Sequence, residues 1–266
     1  MAPAASLTAR RRIVASVLAL LALGVGLDAF VVEPNAVVLT THAIQAQVEA
    51  PLTVVHLSDL HTTGLGRRER VVLALVAGSR PDVIIVTGDV VDTGDLEPAR
   101  AFFAELHAPL GVFVVRGNWE NWRPTAGEAA FYGSVNATLL VNEGRLVRHD
   151  VWIGGVDDPL SGHADFAAAR VGAPPHALPI FLLHAPAAFD DFARDGDLVF
   201  AGHTHGGQVR LPLLGAAWTP PGSGRFLDGW YAKGSARMLV SRGIGTSILP
   251  VRLLCAPEVA RITITP

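Results

Sequence analysis

The stretch LTVVHLSDLH at residues 52–61 decides the fold of this chain. Its first part, Leu52 to Leu57, is a short run rich in β-branched residues, and such a run predicts a buried strand. Asp59 and His61 follow that strand directly. In open α/β sheets the ligand site lies in the crevice beyond the carboxyl ends of the strands, so polar residues at this point predict a site.

The same arrangement of a buried strand followed by polar residues recurs along the chain. The later strands are predicted at 82–87, 111–115, 180–183 and 198–201, and the residues after them are Asp89, Asn118, His184, His203 and His205. Helical spacing of apolar residues at 67–77 and 97–106 predicts helices between the early strands. This alternation indicates an α/β architecture with an at least partly parallel sheet.

The second half of the chain is richer in predicted strands. They fall at 139–141, 146–149, 152–153, 209–211, 238–240 and 259–264, with a short helix at 189–194. The Pro-Gly clusters near residues 172 and 222 indicate loops and not domain boundaries. We therefore expect one domain at 51–266, preceded by a linker and edge strand at 33–50 and a distinct segment at 1–32.

That N-terminal segment has the pattern of a membrane span. Arg10, Arg11 and Arg12 precede an apolar run from Ile13 to Val32, which only Asp28 interrupts. About 20 apolar residues suffice to cross a bilayer as a helix. The arginines should stay in the cytoplasm, which places the rest of the chain outside.

Three interpretations of this segment compete. We favour a single-pass signal anchor, because no clear small-residue cleavage pattern follows the run. A cleaved signal of the twin-arginine type is the alternative, since the arginines at 10–12 fit such a start loosely. A helix packed on the domain is disfavoured, because the run has no polar face.

Composition excludes some other classes of protein. The net charge is −3, with 21 basic and 24 acidic residues, so we expect no nucleic acid as a partner. The single cysteine, Cys255, excludes an internal disulfide framework. With 266 residues, half of them hydrophobic, the chain can bury a substantial core.

The side chains at the strand ends have the chemistry of metal ligands. They are Asp59, His61, Asp89, Asn118, His184, His203 and His205. Carboxylate, imidazole and amide oxygen ligands suit divalent ions such as Mn, Fe, Zn or Co. Seven ligands exceed what one such ion takes from protein, and they fit two ions that share a bridging carboxylate. Two ions about 3.5–4 Å apart can hold a hydroxide and clamp a phosphoryl group for in-line displacement.

The motifs SDLH, GDVVD, GN, LLHAP and GHTHGGQ stand in the order found in calcineurin-like metallophosphoesterases, and the chain resembles that family over about residues 33–266. The tail from GHTHGGQVRLPLLG onward is similar to a membrane-associated bacterial branch. That branch includes enzymes similar to UDP-2,3-diacylglucosamine pyrophosphatases. The resemblance implies a four-layer α/β/β/α sandwich of the metallo-dependent phosphatase type, here behind a transmembrane helix.

The resemblance also implies roles for the strand-end residues. Asp59, His61 and His205 would bind the first metal ion, and Asn118, His184 and His203 the second. Asp89 would bridge the two ions. Asp89 and Asn118 are accordingly the residues we expect to be catalytic, with two divalent ions (Mn, Fe or Zn) as cofactors.

One position departs from the family pattern. The family usually has Gly-Asn-His-Asp/Glu, where this chain has Trp119 in the sequence GNWE at 117–120. That histidine is thought to contact the phosphate or to protonate the leaving group, and an indole N–H cannot do acid–base work. Our hypothesis is that the substrate is a phosphoanhydride, which needs little acid assistance. The alternative is that another residue, such as His163, supplies the proton.

Several further residues have two interpretations. Arg210 either contacts a substrate phosphate or is a solvated surface residue. Trp119 and Trp122 either line an acyl or nucleobase pocket or pack within their loop. For Asp92 and Asp95 we expect a solvated loop or a helix cap.

The sequence therefore predicts a membrane-anchored, two-metal hydrolase of a phosphodiester or pyrophosphate bond. A phosphorylated small molecule or lipid would be the substrate, and a lipid-linked or nucleotide-diphosphate compound would suit the anchor. A broad phosphomonoesterase or phosphodiesterase is the alternative enzyme. A non-catalytic metal-binding protein is the alternative outside enzymes, with Trp119 as the mark of lost activity.

Overall fold

The computed structural model describes the backbone from Ala4 and the side chains from Ala9, in both cases to Pro266. Helix α1 runs from Ala4 to Leu27, and a π-helical turn at Asp28–Val32 and a short 3₁₀ turn at Glu33–Asn35 extend it. The stretch Ala9–Asn35 is long and apolar enough to cross a membrane. Most of its apolar side chains are exposed, as Leu23 is at 69%. The helix therefore does not pack along the domain.

The first sheet has six strands in the order β1-β14-β2-β3-β4-β5. The strands are β1 (Val38–Gln45), β2 (Leu52–Leu57), β3 (Val83–Thr87), β4 (Val112–Val115), β5 (Ala137–Leu139) and β14 (Glu258–Thr265). All neighbours pair in parallel except β14 and β2, which are antiparallel. The C-terminal strand thus lies between the first two strands of the chain.

The second sheet also has six strands, in the order β12-β13-β9-β8-β7-β6. The strands are β6 (Glu143–Arg148), β7 (Val151–Gly155), β8 (Leu178–Leu182), β9 (Leu198–Ala201), β12 (Gly229–Lys233) and β13 (Ala236–Val240). A separate small hairpin pairs β10 (Arg210–Leu211) with β11 (Gly215–Ala216). The strands β7, β8, β9 and β13 form the parallel centre of this sheet.

The remaining helices are short and lie beside the sheets. They are α2 (Arg67–Ser79), α3 (Arg100–Ala104), α4 (Asn118–Trp122), α5 (Glu128–Ser134) and α6 (Phe189–Phe192). The helix predicted at 97–106 is present only as α3 and a 3₁₀ turn at Glu97–Ala99, which Pro98 opens. The carboxylate of Glu69 accepts from the Gly66 N–H at 3.0 Å and so caps the start of α2.

Alternation of side chains along the strands produces the layers. In β2, Val55 and Leu57 face the core under α2 and α3, whereas Leu52 and Val54 face the core between the two sheets. A third core covers the outer face of the second sheet, against α6. The order helices, sheet, sheet, helix confirms the predicted four-layer α/β/β/α class. The division into segments 1–32, 33–50 and 51–266 stays a prediction.

Candidate metal centre

The strand-end residues of both sheets meet at one place. The loops after β2, β3 and β4 supply Asp59, His61, Asp89 and Asn118 from the first sheet, and those after β8 and β9 supply His184, His203 and His205 from the second. All seven residues are buried, each at most 5% exposed. The site is therefore built across the junction of the two sheets, where the carboxyl ends of their parallel strands converge.

Two groups of metal-competent side chains stand within this cluster. One group is Asp59, His61 and His205, and the other is Asp89, His184 and His203, and within each group the ligand atoms lie within 4.8 Å of one another. The residues that the sequence singled out after five separate strands are thus brought together.

The spacing of the imidazole nitrogens suits a shared ion in each group. His61 Nε2 lies 3.2 Å from His205 Nε2, and His184 Nε2 lies 3.1 Å from His203 Nδ1. Metal–nitrogen bonds of 2.0–2.1 Å place neighbouring ligand nitrogens about 2.8–3.4 Å apart. The donor set, which combines imidazoles with carboxylates, also fits a divalent ion of intermediate softness.

Asp89 lies between the two groups. Its Oδ2 is 3.1 Å from His184 Nε2 and 3.7 Å from His61 Nε2. Its other oxygen, Oδ1, accepts from the Trp119 backbone N–H at 2.9 Å. Asn118 joins the second group, since its Oδ1 is 3.1 Å from His184 Nε2. This geometry places one oxygen of Asp89 where a bridging carboxylate would need it.

Backbone carbonyls orient the histidines of the second group. His184 Nδ1 lies 2.7 Å from the Thr87 carbonyl, and His203 Nε2 lies 2.7 Å from the Pro221 carbonyl. Each carbonyl accepts the ring N–H and thereby leaves the other ring nitrogen with a free lone pair. The ring nitrogens that face each other in the centre are thus the ones available to a metal ion.

Asp92 orients His61 in the first group. Its carboxylate contacts His61 Nδ1, which leaves Nε2 to face the centre. Asp92 lies in a partly exposed loop, as one of the two expectations had it, but the loop after β3 folds back over His61 and gives the carboxylate this contact. Asp95 does cap a turn, accepting from the Glu97 N–H at 2.9 Å.

Glu120 is a buried carboxylate outside the set of predicted metal ligands. It accepts from the backbone N–H groups of Asp89, Val90 and Gly117 at 2.7–2.9 Å. It therefore joins the loop after β3 to the start of α4, which carries Asn118. Burial, with a further contribution from Asp89, raises the pKa of Glu120 to about 7. The pattern Gly-Asn-x-Glu is the sequence signal for this role of Glu120, since a Glu at the third helical position binds the N-cap N–H.

The backbone at the centre is strained. Five of the seven residues have positive φ: Asp59 at 50°, His61 at 43°, Asp89 at 52°, His203 at 72° and His205 at 51°. A non-glycine residue rarely adopts this conformation, and each such residue costs on the order of 1–3 kcal/mol. The surrounding fold thus holds these side chains in place against a local preference.

Glycines allow the two loops of the first sheet to touch. A Cβ on Gly88, whose φ is +85°, would lie 2.4 Å from the Gly117 backbone nitrogen. A Cβ on Gly117 would lie 2.2 Å from Asp89 Oδ1. Neither position accepts a side chain without moving the centre.

Opposing charges shape the pKa values in the centre. Burial alone would raise the pKa of Asp89, but the adjacent His184 and His61 lower it below the usual value. Burial lowers the pKa of His205 well below its usual value, and the neighbouring His61 lowers it further. His205 Nδ1 is buried without a hydrogen-bond partner among the described residues. A neutral imidazole is the form that binds metal.

A cavity of about 660 Å³ opens beside the centre. Its apolar wall includes Trp119, Trp122, Leu160, Trp218, Ile248 and Leu249. The Trp119 ring stands edge-on to the His61 ring, with 6.1 Å between their centroids. Trp119 therefore lines the cavity, and its contact with a substrate stays a prediction. The described residues that line it include no lysine or arginine.

Two other candidate residues lie outside this lining. Arg210 donates to the Gly206 carbonyl at 2.7 Å and to Asp228 Oδ1 at 2.6 Å. A phosphate at Arg210 would have to displace the Asp228 carboxylate, and that contact stays a prediction. His163 is exposed, on a loop whose backbone binds Asp157.

The fold and the site together define a metal-dependent phosphoesterase. Residues 52–207 match the family model described as calcineurin-like phosphoesterase. Because this match covers more than half of the chain, the chain belongs to that family and is a hydrolase. Its members typically bind two divalent metal ions, in agreement with the two ligand groups found here.

Full-length relatives show the same membership. The chain is 29% identical over 252 residues to the uncharacterized metallophosphoesterase YkuE of Bacillus subtilis, with 87% of each chain covered. It is 30% identical to the phosphodiesterase YaeI of Escherichia coli, with 80% of this chain and 82% of that one covered.

A third relative is named as a transmembrane protein. The bovine transmembrane protein with metallophosphoesterase domain is 31% identical, with 79% of this chain and 52% of the relative covered. This relative and the apolar helix α1 together indicate membrane association.

Proposed function

We propose that this phosphoesterase hydrolyses a phosphodiester or pyrophosphate bond with two divalent ions held by the seven strand-end residues. Asp59, His61 and His205 would hold one ion, and Asn118, His184 and His203 the other. The observation that carries the proposal is the position of Asp89 Oδ2, within 3.7 Å of one histidine of each group. Asp89 is therefore the proposed bridging ligand.

The protein contributes orientation around these ions. When bound, two such ions supply an activated water and neutralise charge on the phosphoryl oxygens. Trp119 holds one oxygen of Asp89 through its backbone N–H, which leaves the other free to bridge. Glu120 fixes the loops that carry Asp89 and Asn118. Because the described lining residues include no lysine or arginine, the ions would provide the positive charge that the phosphate needs.

The leaving group is proposed to depart without a protein acid. Apart from the proposed ligands, the described residues of the cavity lining include no histidine, aspartate, glutamate or lysine. Trp119 stands where the family usually has histidine, and its indole cannot transfer a proton. A phosphoanhydride suits such a site, because its phosphate leaving group has a low pKa.

The apolar cavity wall supports a substrate with an apolar part. Trp119, Trp122 and Leu160 offer such a part a surface next to the centre. We propose a lipid-linked phosphoester or a diphosphate with a hydrophobic or nucleobase portion. With Arg10, Arg11 and Arg12 in the cytoplasm, the domain would lie outside, where an envelope phospholipid or a cell-wall phosphodiester is a natural substrate.

The first test uses the full chain in detergent micelles. The protein is stripped of metal and supplied separately with Mn, Fe, Zn, Co or Mg, and turnover of a monoester, a diester and a pyrophosphate is measured. We expect metal-dependent turnover of the diester or the pyrophosphate, and its loss in Asp89→Asn. Two bound ions with no turnover of any substrate would instead favour a non-catalytic metal-binding protein.

A second test addresses the missing acid. Trp119→His restores the family residue, and its rates are measured on a phosphoanhydride and on an alkyl phosphodiester. We expect a gain on the alkyl ester and little change on the anhydride, since only the alkyl leaving group needs a proton. An equally large gain on both substrates would contradict the anhydride proposal.

A further inference from the structure

Five apolar side chains project into solvent from two loops, the β10–β11 turn and the β13–β14 connection, and we call them the apolar rim. They are Leu213, Leu214, Ile248, Leu249 and Leu254. Leu213 is fully exposed, Leu214 is 79% exposed and Ile248 is 78% exposed. Single exposed apolar residues are ordinary on a protein surface, but a group of them marks an interaction surface.

The backbone of the rim is strained at three positions, one in the β10–β11 turn and two in the β13–β14 connection. Leu213 has φ of 68°, Ile248 of 65° and Leu254 of 52°. Glycine or asparagine would adopt this conformation more easily, and for a β-branched residue such as Ile248 it is a marked outlier. Large apolar side chains therefore occupy these three positions although the backbone conformation opposes them.

The two loops are held together by one set of hydrogen bonds. The Arg210 N–H donates to the Leu253 carbonyl at 2.8 Å, and the Leu253 N–H donates to the Gln208 carbonyl at 3.0 Å. The Gln208 side-chain amide donates to the Leu249 carbonyl at 3.0 Å. The rim is thus one connected surface and not a set of independent loops.

The same surface is attached to the end of the membrane helix. The Arg252 N–H donates to the Ala29 carbonyl at 2.9 Å. The carboxylate of Glu33 accepts from the N–H groups of Leu254, at 2.8 Å, and of Cys255. Ala29 and Glu33 are both buried against the domain, although the helix before them is exposed.

These contacts fix the height of the rim relative to the bilayer. The apolar run from Ile13 to Val32 is about 30 Å long at 1.5 Å per residue, which matches the hydrocarbon core. Ala29 lies three residues before the end of that run, about 4–5 Å inside it. The segment that binds Ala29 therefore lies at the depth of the membrane boundary.

We propose that the apolar rim inserts into the surface layer of the bilayer that α1 spans. The domain would then have two membrane contacts, its helix and its rim. Apolar groups that bind a membrane surface typically enter it by about 5–10 Å, which the height of the rim allows. Ile248 and Leu249 belong both to the rim and to the cavity wall, so the cavity opens at the membrane surface.

The test follows the depth of single labels on the full chain in phosphatidylcholine nanodiscs. An environment-sensitive fluorophore is attached to Leu213→Cys, to Leu214→Cys and to the control Val171→Cys. Val171 is 75% exposed and precedes β8, at the end of the second sheet opposite the centre. The native Cys255 is 1% exposed. Labelling of the protein without added cysteines shows how much fluorophore Cys255 takes up.

We expect lipids with a quencher near the headgroup to lower the emission at positions 213 and 214 by about twofold or more, as burial at interfacial depth requires. The label at 171 should keep its emission. If the quencher affects the labels at 213 and 214 as little as the label at 171, the proposal is overturned. The same result is expected if another protein, and not the bilayer, covers the rim.

A second measurement separates insertion from catalysis and from misfolding. Leu213→Glu with Leu214→Glu should weaken the quenching of a label at Ile248→Cys, because two charges next to it oppose insertion. The same two substitutions without the label should leave hydrolysis of a soluble diester unchanged, because neither leucine lines the cavity. Labels in an Asp89→Asn background should be quenched as in the active protein. Quenching at 248 that the two glutamates leave unchanged would also overturn the proposal.

Discussion

Removal of the Asp92 carboxylate should weaken only one of the two metal sites. Asp92 contacts His61 Nδ1 and so directs Nε2 of that ring to the centre. Asp92→Ala frees the ring to take the other tautomer and to rotate. The second group is untouched, because the Thr87 carbonyl orients His184.

The size of the effect follows from the exposure of Asp92. A hydrogen bond to a charged group contributes about 1.5–3 kcal/mol. The Asp92 side chain is 38% exposed, so solvent screening reduces this contribution to about 1–2 kcal/mol. At 1.4 kcal/mol per tenfold, the Kd of the first ion should rise about 5–30-fold. That range overlaps the loss of metal affinity, about 10–100-fold, that typically follows mutation of a residue that orients a metal ligand.

Calorimetric titration of the metal-free protein with Zn or Mn measures the two binding steps. Asp95→Ala is the matched control, since Asp95 lies on the same loop but accepts only from the Glu97 N–H. We expect one of the two steps to weaken in Asp92→Ala and neither in Asp95→Ala. Equal weakening of both steps, or no weakening of either, would refute the assignment of Asp92 to His61.

Other substitutions test the centre and the fold. Asp89→Asn should lower turnover by about 10²–10⁴-fold in a steady-state assay, because a bridging ligand supports several kcal/mol of transition-state stabilisation, and an unchanged rate would refute bridging. Arg252→Met should lower the free energy of unfolding by about 3 kcal/mol in urea titrations, since the buried guanidinium binds the carbonyls at positions 242, 245 and 255. Burial alone would raise the pKa of Glu258, but Arg242 and hydrogen bonds lower it. Its depressed pKa stabilises the fold above the ordinary glutamate pKa of about 4.3, and that stability disappears as the pH falls through the folded value. Urea midpoints should therefore fall less between pH 6 and pH 3 in Glu258→Gln than in the natural protein, and parallel curves would contradict this.

The positions of the strands that carry the centre were predictable from the sequence. β2 and β9 begin and end where the apolar runs do, because strands buried on both faces read as continuous hydrophobic segments. The polar residues after these runs then had to gather at the carboxyl ends. Their gathering needed no knowledge of loop conformation, whereas their roles as ligands remain a proposal.

Elements without a continuous apolar run were not predictable in the same way. β12 (Gly229–Lys233) is half-exposed at the edge of its sheet, and only pairing with β13 makes it a strand. Helix α5 (Glu128–Ser134) is a single short amphipathic stretch after a loop, whose stability comes from packing against β5.

The contacts around the centre were likewise beyond the sequence pattern. Asp92 reaches His61 across 31 residues, and Glu120 reaches Asp89 across the same separation. Such pairs depend on how two loops fold over each other. A carboxylate in a polar loop looks the same in sequence whether it faces water or a histidine.

The place of β14 between β1 and β2 sets an order of events during synthesis. The neighbours of β14 are made near the start of the chain, and about 200 residues separate β2 from β14. At 5–20 residues per second a ribosome needs on the order of 10–40 s to add that length. Until then the edges of β1 and β2 that β14 will pair are open, while helix α1 is already available to enter a membrane. The candidate membrane helix α1 is thus complete long before the chain can close its first sheet, and truncation at the last strand would leave that sheet with an open edge.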